Sequence, residues 1–111
     1  MASSKEYLEF VLEQLSEVEG VSHRAMMGEY ILYCRGKIWG GIYDDRLLVK
    51  PVASARRLLP DAPMEIPYEK GRAMLLVEDL DDREFLAKLI EEMMGELPAP
   101  KPKKRTRQNG E

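Results

Sequence analysis

Residues 26–50, MMGEYILYCRGKIWGGIYDDRLLVK, alternate apolar and polar side chains and are broken by two turn signals, Arg35-Gly36 and Asp44-Asp45. A period of two is what a half-buried strand requires, because successive side chains point to opposite faces of a sheet. Two-residue turns make the strands they join antiparallel neighbours. The stretch therefore predicts a meander of three strands over 24–34, 37–43 and 46–50. Residues 22–35 read as one extended unit, with Gly28 marking a bend or bulge inside it.

If both turns use two residues, Leu32 faces Trp39, Tyr33 faces Ile38, Ile42 faces Leu47 and Trp39 faces Lys50. That register sends Ile31, Tyr33, Ile38, Ile42, Leu47 and Val49 to one face, which belongs under helices. The opposite face receives Tyr30, Leu32, Cys34, Lys37, Trp39, Tyr43, Arg46, Leu48 and Lys50. Aromatics, leucines and cations together are the composition of interface anchors. Tyr30, Leu32, Trp39, Tyr43 and Leu48, with Lys37, Arg46 and Lys50, are thus the candidate interaction face, suited to a protein partner or to a second copy as a homodimer. Two alternatives stay open: a helix or the tail folds over this face, or the register is displaced by one residue.

Helices flank the meander. Ser3 and Glu6 have capping-box spacing, and Leu8, Val11, Leu12, Leu15 and Val18 form one apolar stripe, so a helix is predicted over 4–18, with Gly20 after its C-cap. Pro51 suits the first position of a short helix that Pro60 closes. An edge strand near 64–68, interrupted by Pro67, a turn at Lys70-Gly71 and a strand at 72–78 come next. Asp81 and Glu84 repeat the capping spacing before Phe85, Leu86, Leu89, Ile90, Met93 and Met94, which predicts a helix over 82–95. The expected fold is α+β: two layers, a five-stranded antiparallel sheet with helices on one face, in the order α-β-β-β-α-β-β-α.

The 111 residues make one domain over 1–97 and a basic tail over 98–111 that has nothing to bury and is expected to be disordered. Charge divides at the same boundary. The chain carries 17 cations against 20 anions. The tail holds Lys101, Lys103, Lys104, Arg105 and Arg107 against Glu111, which leaves the body with 12 cations against 19 anions. Five cations reach at most about five phosphates, a weak and sequence-independent nucleic-acid contact that the acidic body opposes. No apolar run approaches the roughly 20 residues of a membrane span. The charged N-terminus is unlike a secretory signal, and the single Cys34 has no disulfide partner, so a cytoplasmic location is expected.

Catalytic and metal chemistry have no support. One histidine, His23, and one cysteine do not make a zinc site or a nucleophile–base pair. CRGK lacks the leading glycine and the Ser/Thr of a phosphate loop. Gly40 and Gly41 sit mid-strand, where close approach of a helix or a bulge accounts for them. Arg24, Glu29 and Lys50 form a candidate polar cluster near the bend at Gly28, with a structural ion pair or solvation as its simpler meaning. No cofactor is implied.

The order of short motifs through the middle of the chain resembles the N-terminal domain of the TfoX/Sxy family, associated with regulation of natural competence. Arg24, Met26, Met27 and Gly28, then Gly36, Lys37 and Trp39, then Leu47, Leu48, Val49 and Lys50 follow the family pattern. Tyr68, Lys70, Gly71, Arg72 and Met74 are similar to a later family feature, and the resemblance covers about residues 5–95. Met27 stands where the family has phenylalanine, Glu29-Tyr30-Ile31 replaces a glycine-rich run, and the C-terminal helical domain of full-length members has no counterpart in these residues. The resemblance implies the same fold order and a non-enzymatic regulatory or protein-interaction module. The alternative is a nucleic-acid-associated protein that binds weakly through its basic tail.

Overall fold

A computed structural model describes residues 3–68 and 71–98. The elements are α1 (Lys5–Gln14), β1 (Val21–Met26), β2 (Glu29–Cys34), β3 (Lys37–Ile42), β4 (Leu47–Val49), α2 (Ala53–Leu58), β5 (Met64–Glu65), β6 (Met74–Val77) and α3 (Arg83–Met94). All six strands form one antiparallel sheet in the spatial order β1-β2-β3-β4-β6-β5. The expected α+β class holds, but the sheet has six strands rather than five. The long strand expected over 24–34 is a hairpin, folded back at Met27-Gly28.

Three two-residue hairpins follow one another. Met27-Gly28, Arg35-Gly36 and Asp44-Asp45 all have positive φ at both central residues, the backbone twist that matches strands of right-handed twist. Gly28 and Gly36 enter that region freely, and aspartate tolerates it. Met27 does not, and at φ 53° it stands at the β1–β2 tip with 95% of its surface exposed.

The register departs from simple pairing at one place. Tyr33 faces Ile38 and Cys34 faces Lys37 as expected, but Leu32 faces Gly40, Ile31 faces Gly41 and Tyr30 faces Ile42. Trp39 is the extra residue of a β-bulge, and its insertion inverts β2 relative to the far half of β3. A Cβ on Gly40 would lie 2.3 Å from the Leu48 carbonyl oxygen, so the close approach there is by β4 and not by a helix.

Helix ends are held by local donors and acceptors. Ser4, one residue beyond the expected cap, accepts from the Tyr7 N–H at 3.1 Å, and Asp82 rather than Asp81 accepts from Phe85 N–H at 3.0 Å. α1 ends at Gln14, short of 18, because the following bonds tighten to the i−3 carbonyl at Ser16 and Val18. α2 has no capping side chain of its own. Glu96 supplies one, accepting from the Ser54 N–H and hydroxyl, each at 2.8 Å, and these bonds followed by Arg57 hold its carboxyl below the ordinary range.

The core lies between the helices and one sheet face. Leu8 and Val11 of α1, Leu15 just after it, and Leu86, Leu89, Ile90 and Met93 of α3 bury in one cluster with Leu32, Trp39, Ile42, Leu47, Val49, Leu75 and Val77. No helix among the described residues is long and apolar enough to cross a membrane. Because Met27 makes its turn in a strained conformation and packs almost nothing, Met27→Asn should stabilise the domain by about 1 kcal/mol. Urea unfolding with unchanged m would show it as a higher midpoint.

Candidate functional site

The bulge decides what the helix-free side of the sheet presents. Val21, His23 and Ala25 pair with Cys34, Leu32 and Tyr30 and share the helix side. Ser22, Arg24 and Met26 share the other side with Tyr33, Ile31 and Glu29. Ile42, Leu47 and Val49 lie under the helices as expected, whereas Ile31, Tyr33 and Ile38 do not.

Half of the expected interaction face is therefore on the wrong side. Leu32 and Trp39 are core residues, Trp39 with only 1% of its surface accessible, and Tyr30 packs against the same core. Lys37 also faces the helices and donates from Nζ to the Met94 carbonyl at 2.9 Å, a cation satisfying a helix C-terminus. The physical reason is the extra residue at Trp39, which the two-residue-turn register did not contain. The Trp39 indole Nε1–H is enclosed without an acceptor among the described residues.

Tyr43, Arg46, Leu48 and Lys50 do lie on the helix-free side, yet Tyr43 and Leu48 are also buried. Gly41 faces Leu48, and the Tyr43 ring lies where a Cβ on Gly41 would be. The segment after β5 comes back over this part of the sheet, setting Tyr68 against Tyr43 with ring centroids 5.9 Å apart. Arg46 is held by an ion pair with Glu65 and by the Tyr43 carbonyl at 3.0 Å. Of the eight residues expected to be available, Lys50 remains half-buried at the edge of an open cleft.

That cleft, of about 730 Å³, is the feature of the helix-free side that the sequence reading missed. Ile31, Ile38 and Gly40 form its floor, with Met26 at one end and Met74 at the other. Tyr43, Pro67 and Tyr68 line one part, and Lys50, Pro51, Val52, Arg72 and Ala73 another. Ile38 and Tyr68 are 37% and 55% exposed, so the cleft is apolar and open to solvent. Its size lies within the range of ligand and peptide sites. The signal was present in the outward alternation of Met26, Ile31, Ile38 and Met74, once β1 and β2 are separated.

Arg24, Glu29 and Lys50 do not assemble. Glu29 instead accepts from the Ser3 hydroxyl at 2.6 Å and the Asp44 N–H at 3.1 Å, while Asp45 accepts from Ser4 N–H at 2.8 Å. The Asp45 N–H in turn donates to Ser3 Oγ at 3.0 Å, so Glu29 is a tie between the start of α1 and the β3–β4 turn. Among the described residues Arg24 and Lys50 take part in no ion pair, and no group of three His, Cys, Asp or Glu side chains could hold a metal. The expected nucleic-acid contacts Lys101, Lys103, Lys104, Arg105 and Arg107, and the turn residue Lys70, lie outside the described residues.

Truncation separates the two faces. Trp39→Ala should cost about 3–5 kcal/mol, whereas Ile38→Ser should cost under about 1 kcal/mol; denaturant midpoints measure both. Burial raises the phenol pKa of Tyr43, with Tyr68 and Glu29 adding to it, and burial followed by Asp45 raises that of Tyr7. Both tyrosines hold their protons more tightly when folded. Their contribution is complete below the ordinary phenol pKa of about 10 and is lost as pH climbs through the raised values. Alkaline unfolding followed by ultraviolet absorbance should become shallower in Tyr43→Phe.

A family model described as the TfoX N-terminal domain matches residues 13–95. A Spirochaeta aurantia protein, named as an uncharacterised 12.7 kDa protein in the trpE 5′ region, is 30% identical over 105 residues, covering 94% of this chain and 91% of that protein. No solved structure matches the chain significantly.

Proposed function

This chain belongs to the TfoX N-terminal domain family, and from that premise we propose a non-catalytic regulatory domain that acts by binding a protein partner on the helix-free face of its sheet. One observation carries the proposal. An apolar, solvent-open cleft occupies the face that the helices leave uncovered, and a soluble domain has no folding reason to keep Ile38, Met26 and Tyr68 partly in water there. Six of the residues through which the chain resembles the family, Met26, Lys50, Tyr68, Gly71, Arg72 and Met74, line that cleft.

A binding role also fits the chemistry available. The described cleft lining contains tyrosines, a lysine and an arginine but no histidine, cysteine, serine or carboxylate. An acid–base pair or an activated nucleophile needs partners within hydrogen-bond reach, and the lining offers neither. Regulation of competence, the role associated with the family, is one setting in which such a module would act by contact alone.

Site-specific photo-crosslinking in the native cell tests the proposal. With p-benzoylphenylalanine in place of Ile38, irradiation should join the domain to another protein, and with the same group in place of Glu9, on the exposed side of α1, it should not. Equal labelling from Glu9, or none from Ile38, would remove the helix-free face as the binding surface.

A further inference from the structure

The charge arrangement around the cleft identifies the partner's chemistry, an inference that rests on the helix-free face being the docking surface. The strands place two carboxylates on this side, Glu29 facing Met26 and Glu65 facing Met74. Both are occupied within the fold, Glu65 by Arg46 and Glu29 by Ser3 and the Asp44 N–H. Lys50 and Arg72 line the cleft, Arg24 stands on the same side opposite Ile31, and among the described residues none of the three has an ion-pair partner. Among the described residues, an acidic chain thus presents cations beside an apolar floor.

We propose that the partner is an acidic polypeptide segment with aliphatic anchors, its Leu- or Ile-like side chains seated over Ile31 and Ile38 and its carboxylates reaching Lys50, Arg72 and Arg24. Spacing favours a polypeptide over a small carboxylate. Arg24 on β1 and Lys50 at the end of β4 are three strand intervals apart, roughly 14 Å at about 4.8 Å per interval, so cations spread along the face are matched better by several carboxylates on one segment than by a single small one. A second copy of this chain is disfavoured, because facing clefts would bring the same three cations together. Nucleic acid is anionic but stacks successive bases on exposed aromatic faces, and of the two tyrosines in this lining Tyr43 is buried, which leaves Tyr68 alone beside isoleucine and methionine.

The test uses the full chain, labelled with nitrogen-15, and acetylated, amidated ten-residue peptides. A peptide alternating Leu and Glu should shift the amides of Ile31, Ile38 and Met74, and bind at least tenfold more tightly than peptides alternating Leu and Lys or Ser and Glu. Salt should weaken it, and Lys50→Ala with Arg72→Ala should lower its affinity at least fivefold; both side chains are at least partly in solvent, so the fold should survive. Equal binding of the Ser–Glu peptide, equal binding of the Leu–Lys peptide, or stronger shifts of these amides by a ten-nucleotide single-stranded DNA would each overturn the inference. If no peptide binds while Ile38 still crosslinks to a protein, the partner has another chemistry and only the inference fails. If crosslinking also fails, the docking face itself is lost.

Discussion

At Gly40 the backbones of β3 and β4 come so close that a single methyl group would strike the Leu48 carbonyl oxygen. On the other side of β3, one residue, Trp39, is inserted between the Ile38 and Gly40 pairs with β2. Side-chain direction alternates along a strand, so one inserted residue reverses everything on the near side relative to the far side. Leu32 and Cys34 thereby join Ile42, Leu47 and Val49 under the helices, and the indole of Trp39 fills the centre of that layer. Ile31 and Ile38 are turned outward by the same step. The buried core and the open cleft both follow from one inserted residue.

The helices reinforce this division from one side only. α1 is fastened to the sheet by Ser3 and Ser4, which bond Glu29 and Asp45 at the hairpin tips, and Lys37 caps α3 from the sheet. α3 in turn caps α2 through Glu96. Each helix therefore has a polar contact that fixes its end while its apolar stripe buries. Among the described residues the opposite face carries the segment after β5, which sets Tyr68 against Tyr43 while Ile38 stays 37% exposed.

Features that depend on near neighbours in sequence were readable, and features that depend on distant backbone were not. Capping serines and aspartates, the stripes of α1 and α3 and the Asp44-Asp45 turn are local, and their placement came within a residue or a turn of helix. Gly28 was read as a bend or bulge and not as half of a hairpin turn, because methionine at 27 is a poor left-handed residue and its conformation goes with the pairing of β1 and β2. Gly40 and Gly41 did signal a bulge. Nothing local could say that the inserted residue would be Trp39, since the register is set by how β2 pairs with β3. Lys50 was found as a surface residue, while Met26, Ile31, Ile38 and Met74 were missed because each had been given to the wrong face or to none.

The same geometry accounts for a cationic surface on an acidic chain. Glutamates dominate the exposed positions of α1 and α3, where charge is solvated and a helix tolerates it. On the helix-free side the two strand carboxylates lie at the sheet's margins, Glu29 beside the hairpin tips and Glu65 on the last strand. There the fold uses them to tie down turns and the edge. Lys50 and Arg72 line the cleft beside isoleucine and methionine and Arg24 stands on the edge strand β1, and among the described residues none of the three has an ion-pair partner. Burying a lysine or arginine against a partner without an anion would forfeit its hydration, and this desolvation cost is the reason the proposed partner is acidic.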